Sequence, residues 1–280
     1  MSVRIVLDST ADLPQELKSR FSIVPLPLFF GKEEYLDGVT ITHREFYEKL
    51  VESDVLPTTS QPTPDAFARV YEAAVNDGHE VLAITLSSQL SGTYQSASIA
   101  AMDFPGKVYV VDSLSAAIGT GALAQLALSL ADRDLGAAQI AETLLEERSN
   151  LKVIAMVGTL EYLKRGGRIS KTAAIAGELL SIKPVIGIEE GRVAILGKAR
   201  GSRQANNLLI KLIESCGGVD FEKPVILGYT GLSDVLLQKY VSDSAALWQD
   251  SPTPLTVTPI GSIIGTHAGP GAVAAAFFKK

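Results

Sequence analysis

Three short stretches of the chain carry hydroxyl side chains at positions that favour binding of an anion. They are Thr58, Thr59 and Ser60 ahead of Pro62, Ser91 beside Gly92, and Thr266 beside His267. Each stretch is predicted at or just before a helix start, where backbone N–H groups lack partners and the helix dipole is positive. Such donors suit a carboxylate or a phosphate. A single Ser or Thr there is more often an ordinary helix cap, so only convergence of the three stretches makes a binding site.

The stretch with His267 lies in PIGSIIGTHAGPGAVAAAFF, residues 259–278. Its pattern predicts a strand, a glycine-rich turn and then a helix, with Pro270 in the first helical turn because its fixed φ is already helical. His267 would then stand just before a helix N-terminus. An imidazole there can donate a hydrogen bond to a bound anion.

A serine hydrolase using Ser91 and His267 is the alternative reading of the same residues. The local pattern SQLSGTY is not a Gly-x-Ser-x-Gly elbow, and no acidic third partner can be identified. The roles that hydrolysis requires are therefore only partly filled. A hydrolase is therefore the less favoured interpretation of Ser91 and His267.

Cationic side chains concentrate in two motifs, RGGRIS and GKARGSR. They are Arg165, Arg168, Lys198, Arg200 and Arg203. Solvated turns account for most such residues, because charged side chains usually lie outside. A docking or phosphate-contact site is the sharper alternative, since the arginine fork matches phosphate oxygens.

Composition excludes several classes of protein. The chain has 280 residues, 46% of them hydrophobic, and a formal net charge of −6 without a basic stripe, which argues against a nucleic-acid surface. The single cysteine, Cys216, cannot form an internal disulfide, and three histidines without a Cys-x-x-Cys pair give no zinc pattern. No metal and no cofactor are predicted.

The compartment is predicted to be the reducing cytoplasm, because the N-terminal stretch reaches Asp8 and Asp12 before any apolar signal region. Residues Leu114–Ala131 carry no charge and are long enough to consider as a membrane span. Their hydroxyl, amide and glycine residues fit lipid poorly. We predict a buried core helix there.

Alternating strand and helix patterns predict an α/β fold. In residues 1–150, apolar strands such as VRIVLDS, HEVLAITLSS and KVYVVDS alternate with helices, which is typical of a parallel sheet. From LKVIAMVG onward, residues 151–280 predict a mixed-sheet α/β domain that includes a hairpin around Glu189-Glu190-Gly191. The boundary is placed near Asn150, and the ligand site between the two domains.

Seven motifs, in this order along the whole chain, resemble the DegV family of bacterial fatty-acid-binding proteins, which includes the FakB subunits of fatty acid kinase. The motifs are DSTADLP (8–14), TSQPTP (59–64), LSGTYQSA (90–97), VDSLSAAIGTG (111–121), EYLKRGGRIS (161–170), GKARGSRQA (197–205) and IGTHAGPGA (264–272). The resemblance implies a two-domain α/β protein that buries the acyl chain of one long-chain fatty acid.

The resemblance also implies roles for particular residues. The fatty-acid carboxylate would be held by Thr59, Ser91 and His267, with Gly92 supplying a backbone N–H and Thr266 standing beside His267. In kinase-linked members, a separate ATP-binding subunit phosphorylates the bound carboxylate, and Arg203 corresponds to the residue that faces this partner. The chain would then bind and present a substrate rather than catalyse. A fatty-acid carrier without a kinase partner remains a further alternative, and any contact with a membrane would be transient.

Overall fold

The computed structural model describes residues 2–169 and 182–280, which form three β-sheets with helices packed on and between them. In chain order the strands are β1 (Val3–Asp8), β2 (Ser22–Val24), β3 (Pro27–Phe30), β4 (Glu33–Leu36), β5 (Thr58–Thr59), β6 (Glu80–Thr85), β7 (Val108–Asp112), β8 (Leu151–Met156), β9 (Ile182–Glu189), β10 (Arg192–Arg200), β11 (Ile226–Tyr229), β12 (Thr256–Pro259) and β13 (Val273–Phe278). The described helices are α1 (His43–Glu52), α2 (Pro64–Asn76), α3 (Thr93–Ala101), α4 (Ile118–Ala131), α5 (Ala137–Glu147), α6 (Glu161–Arg165), α7 (Gly201–Ser215), α8 (Val235–Asp243), α9 (Ala245–Trp248) and α10 (Ser262–Ala268). The helix predicted in KTAAIAGELLS lies outside the described residues.

The first sheet is parallel and has the order β2-β1-β6-β7. Its central strands are runs of buried Val, Leu and Ile, as expected of strands covered on both faces. Helices connect them. Thr63 caps α2 with Pro64 in the first turn, as its sequence predicts, and Thr42 forms a capping box with Glu45 at the start of α1.

The second sheet is mixed and has the order β10-β9-β8-β13-β11-β12. Only β11 and β12 pair in parallel; the other neighbours are antiparallel. The predicted hairpin is confirmed as β9 and β10, and its turn places Glu190 and Gly191 at positive φ. A third, small antiparallel sheet has the order β4-β3-β5 and was not predicted. The α/β fold with a parallel and a mixed sheet is thus confirmed.

Helix α4 packs between the two large sheets. Its buried residues include Ile118, Leu123 and Ala127, which confirms the prediction of a core helix. Gly121 lets this helix approach the backbone of the N-terminal segment, because a Cβ there would lie 2.1 Å from the carbonyl oxygen of Asp12. One hydrophobic cluster runs from Ile5 in the first sheet to residues of the second. The boundary near Asn150 stays a prediction, since the two halves share this core.

The C-terminal segment has the reverse order to the one predicted. Residues Ser262–Ala268 form α10, and the alanine-rich residues Val273–Phe278 form β13, a fully buried central strand. Pro270 lies in the turn between them, flanked by Gly269 and Gly271 at positive φ. Alanine favours helices in isolation, but pairing on both edges with β8 and β11 outweighs that preference.

The residue Asp12 does not cap a helix. The short 3-10 helix Gln15–Arg20 begins after Pro14 without a side-chain cap, and the Asp12 carboxylate is buried elsewhere. Within residues 2–169 and 182–280, no helix is both long enough and apolar enough to cross a bilayer.

Candidate functional site

A narrow apolar cavity lies between the two large sheets and below α10. Its walls come from both halves of the chain and are formed mainly by Leu26, Leu86, Leu90, Ala116, Ala117, Ile118, Val153, Ala155, Val157, Leu163, Ile186, Ile188, Val193, Ile260, Ile263, Ile264, Ala268, Ala272 and Ala274. About 120 Å³ is open to the centres of water-sized molecules. A cavity with such a lining is suited to an apolar group.

The cavity has few polar side chains. Among the described residues, those that line it are Thr59, Ser91, Arg168, Thr230 and His267. The Thr230 hydroxyl is already engaged, because it accepts a hydrogen bond from the backbone N–H of Ala272 at 2.8 Å and also bonds to the Tyr47 hydroxyl. The other four are the candidates for recognising a ligand head group. In ligand pockets, a few convergent polar groups usually orient a ligand whose remaining surface contacts apolar walls.

The His267 ring lies in the last turn of α10 and not before a helix N-terminus, so its predicted placement was wrong. The positive end of a helix dipole therefore does not act on it. Its Nε2 lies 3.0 Å from Oγ1 of Thr59, a residue 208 positions earlier in β5. The structure thus joins two of the three predicted stretches by a direct hydrogen bond.

Burial lowers the pKa of His267 to about 4, and the positive charge of Arg168 acts in the same direction. The imidazole is consequently neutral at neutral pH, with one nitrogen as donor and the other as acceptor. Its Nδ1 is buried, faces Gly166 and has no hydrogen-bond partner in the part of the chain that the structure describes. The His267 ring is therefore a neutral polar group at this site.

The residue Ser91 stands where α3 begins, as predicted. Its Oγ lies 2.9 Å from Oγ1 of Thr93, and Gly92 occupies the N-cap position of the helix. Gly92 does not line the cavity; it packs against the side chain of Gln61, whose Oε1 would lie 1.9 Å from a Cβ at this position. The structure thus places Ser91 on the cavity wall. Gly92 lies next to it, outside the cavity lining.

The hydroxyl of Thr266 is directed away from the cavity lining. It is buried and donates to the backbone carbonyl of Ser262 at 3.0 Å, one turn earlier in α10. A threonine hydroxyl commonly bonds the carbonyl four residues earlier when it lies inside a helix. The structure therefore does not bring Thr266 together with Thr59, Ser91 and His267.

Arg168 was not among the predicted carboxylate-binding residues. Of the two interpretations left open for the cationic motifs, a solvated turn does not fit Arg168, because it is half-buried and lines the cavity. Its Nε donates to the Leu90 carbonyl at 3.2 Å and its Nη1 to the Gly166 carbonyl at 2.6 Å. Burial lowers the pKa of its guanidinium from the usual value. Its position beside the glycine pair of RGGRIS was the available signal.

The predicted partner residue, Arg203, lies elsewhere. It is exposed in the first turn of α7 and does not line the cavity. A cation there is free to contact another molecule without disturbing the ligand pocket.

The geometry does not assemble a hydrolytic triad. Ser91 bonds to Thr93 and His267 bonds to Thr59, so the serine and histidine are not paired with each other. No described carboxylate bonds to Nδ1 of His267. In the parts of the chain that the structure describes, no group of three or more His, Cys, Asp or Glu could hold a metal ion.

Comparison with known proteins gives the family. The model of the DegV family of uncharacterised proteins matches residues 2–280. The chain belongs to the DegV family. A DegV domain-containing protein of Caldanaerobacter subterraneus is 35% identical over 99% of both chains, and one from Deinococcus radiodurans is 34% identical over 99% of this chain and 98% of its own.

Solved structures of DegV proteins have the same fold. A fatty-acid-binding DegV protein from Thermus thermophilus is 35% identical, with a TM-score of 0.89 over 100% of both chains. A stearic-acid-binding protein from Eubacterium ventriosum is 28% identical, with a TM-score of 0.87 over 99% of this chain and 98% of that one. A Thermotoga maritima protein with fatty-acid-binding function is 27% identical, with a TM-score of 0.84 over 100% of both chains.

Gly166 gives a test of the position of His267 in this DegV protein. A Cβ at Gly166 would lie 2.1 Å from Nδ1 of His267, while its φ of −71° suits any residue. We expect Gly166→Ala to displace the ring and lengthen its contact with Thr59, which the imidazole NMR signals of ligand-free protein would report. Gly167→Ala is unsuitable as a control because Gly167 has positive φ. Gly136→Ala, at the start of α5, is a better control, and equal spectra for Gly166→Ala and wild type would contradict the expectation.

Proposed function

We propose that this DegV protein binds one long-chain fatty acid, with the acyl chain in the apolar cavity and the carboxylate beside Thr59, Ser91 and His267. The observation that carries the proposal is the cavity itself, which is apolar along its described walls and brings two hydroxyl groups and a neutral imidazole together on its lining. The fatty-acid ligands of the similar DegV structures support the same ligand class.

The head-group contacts follow from the hydrogen atoms available. With the hydrogen of the imidazole on Nε2, His267 donates to Thr59 and leaves the Thr59 hydroxyl hydrogen for the ligand. Thr93 can likewise donate to Ser91 and leave the Ser91 hydrogen free. The two hydroxyls then donate one hydrogen bond each to the carboxylate, while the positive charge of Arg168 favours its ionised form.

The acyl chain supplies most of the affinity in this proposal. Each methylene transferred from water to the cavity contributes about 0.8 kcal/mol. A dozen methylenes therefore outweigh the cost of ordering the chain, even though the hydrogen-bond donors to the head group are uncharged.

Native mass spectrometry of the purified protein, followed by denaturing extraction, tests the ligand. We expect a stoichiometric fatty acid, or its uptake by protein that has been delipidated. A protein that is empty and takes up no fatty acid would contradict the proposal. Loss of an acyl ester over time, without any added partner, would instead support a hydrolase that uses Ser91 and His267.

The finer proposal is that the protein presents the carboxylate to a separate ATP-dependent kinase subunit. A carboxylate oxygen would attack the γ-phosphorus of ATP, the bond to the bridging oxygen would break, and ADP would leave with an acyl phosphate remaining. Neutral hydroxyl donors suit this step, because they hold the carboxylate less tightly than a charged pair would. Catalysis would lie in the kinase subunit.

Arg203→Ala separates the kinase role from a simple carrier role. Because Arg203 is exposed and does not line the cavity, fatty-acid affinity should stay within about twofold, while kinase-dependent acyl-phosphate formation should fall at least about tenfold. The measurement is acyl-phosphate formation with ATP and the partner subunit. Lys211→Ala, an exposed cation at the other end of α7, is the matched control. Equal rates for both variants would favour a carrier without a kinase contact.

A further inference from the structure

The helix that carries His267 is anchored at its start by two buried carboxylates. Helix α10 has seven residues, and a helix of this length is unstable on its own. The backbone N–H of Gly261 donates to Oδ1 of Asp12 at 2.8 Å. Ser262 hydrogen-bonds to Asp37 through both its backbone N–H and its hydroxyl. These bonds occupy the N–H groups that a helix start leaves without partners.

The backbone of each of these aspartates is also hydrogen-bonded to a residue in a wall of the cavity. The backbone N–H of Asp12 donates to the carbonyl of Ala117 at 3.3 Å, and that of Asp37 donates to the carbonyl of Leu26 at 3.1 Å. Ala117 and Leu26 both line the cavity. Asp12 and Asp37 therefore connect two walls of the pocket to the helix that bears His267.

The burial of Asp12 and Asp37 is costly. The two residues are 6% and 7% exposed, and among the described residues no cation forms an ion pair with either one and no group hydrogen-bonds to Oδ2 of Asp12. Burying carboxylates without a paired cation opposes folding. Two buried carboxylates at the start of one helix are consistent with a requirement that α10 keeps a fixed position.

The segment between the start of α10 and His267 is tightly packed. His267 follows Gly261 by six residues, a rise of roughly 9 Å at 1.5 Å per residue. Between them, a Cβ at Gly265 would lie 2.4 Å from the Tyr47 hydroxyl. The Tyr47 hydroxyl also donates to the carbonyl of Ile260 at 3.0 Å. A displacement at Gly261 and Ser262 therefore moves the imidazole.

We infer that Asp12 and Asp37 are positioning residues of the carboxylate site, acting through α10 to hold His267 in contact with Thr59. The inference rests on the proposed fatty-acid function. It assigns the two carboxylates no contact with the ligand.

A double-mutant cycle with His267 tests this inference. Asp37→Ala should weaken fatty-acid binding at least about tenfold in the wild-type background and have little further effect in a His267→Ala background. A loss of the same size in both backgrounds would overturn the inference, because a general loss of structure does not depend on the imidazole. Asp37→Asn, which keeps an accepting oxygen and adds a donor, should restore most of the affinity.

A second measurement observes the bound carboxylate itself by NMR. The carbonyl resonance of bound [1-¹³C]palmitate should shift in Asp37→Ala and Asp12→Ala, and should return towards the wild-type value in the asparagine variants. Ser262→Ala removes only the hydroxyl donor to Asp37 and serves if the alanine variants do not fold. Ile213→Ala, in the core on the other side of the mixed sheet, should lower thermal stability without moving the resonance.

The imidazole resonances of His267 in ligand-free protein distinguish failure of this inference from failure of the proposed function. If the wild-type protein takes up no fatty acid, the proposed function fails, and the ring signals still report whether Ser262→Ala or Asp37→Ala displaces His267. Unchanged ring signals in folded variants would overturn the positioning role. Changed signals would support it.

Discussion

Replacing Ala274 with phenylalanine should abolish fatty-acid binding by this protein while leaving the fold in place. Ala274 lies in β13, pairs with Ala155 of β8, and both residues line the cavity. A phenyl ring there occupies space that the acyl chain would otherwise fill. If six methylenes are excluded, the loss is about 5 kcal/mol, or more than about 1,000-fold in affinity.

The measurement is the dissociation constant of a long-chain fatty acid for delipidated protein, with thermal unfolding measured in parallel. Val153→Ala is the matched control, because Val153 lies on the same cavity but its truncation removes atoms instead of adding them. That variant should lose some stability and still bind. Unaltered affinity in Ala274→Phe would place the acyl chain outside this cavity.

Thr59→Val should lower fatty-acid affinity by about 10- to 100-fold, since valine keeps the shape of threonine and removes its hydroxyl. The change removes a donor to the carboxylate and leaves Nε2 of His267 without its partner at 3.0 Å. An unpaired buried polar group of this kind costs about 1–3 kcal/mol. Isothermal titration with a fatty acid measures the loss.

A fatty alcohol of the same chain length gives the comparison for this prediction. It has no negative charge and needs fewer donors, so its affinity should fall less than that of the acid. Thr58→Val, at the exposed neighbour of Thr59 in β5, is the control and should change neither affinity. Equal losses for acid and alcohol would mean that Thr59 shapes the pocket without recognising the carboxylate.

Local sequence signals predicted those parts of the fold that local interactions determine. The capped starts of α1 and α2 were predictable, because the Thr42 and Thr63 hydroxyls bond to backbone N–H groups only three residues away. The hairpin of β9 and β10 was predictable from its glycine turn. The buried helix α4 was predictable from its uncharged sequence, and its glycines allow close packing, since a Cβ at Gly119 would lie 2.1 Å from Oγ of Ser115.

Predictions that depended on distant contacts were wrong or incomplete. The alanines of β13 favour a helix locally, and only the neighbouring strands make them a strand. Arg168 resembles a surface residue until the loop that contains Leu90 and Ser91 packs over it. Asp12 resembles a helix cap next to Pro14, yet its carboxylate bonds to a residue 249 positions away.

By itself, the sequence determined the α/β class, the capped helices, the hairpin and the identity of Thr59, Ser91 and His267 as side chains able to bind an anion. These follow from residue types and from spacings of a few residues, where the partners are covalently close. The tertiary structure decided that His267 meets Thr59, that Arg168 lines the cavity, and that Thr266 turns away from it. Those outcomes depend on which distant backbone segments pack together, because burial, and with it the pKa of His267 and the hydrogen bonds available to each hydroxyl, exists only after the segments have met.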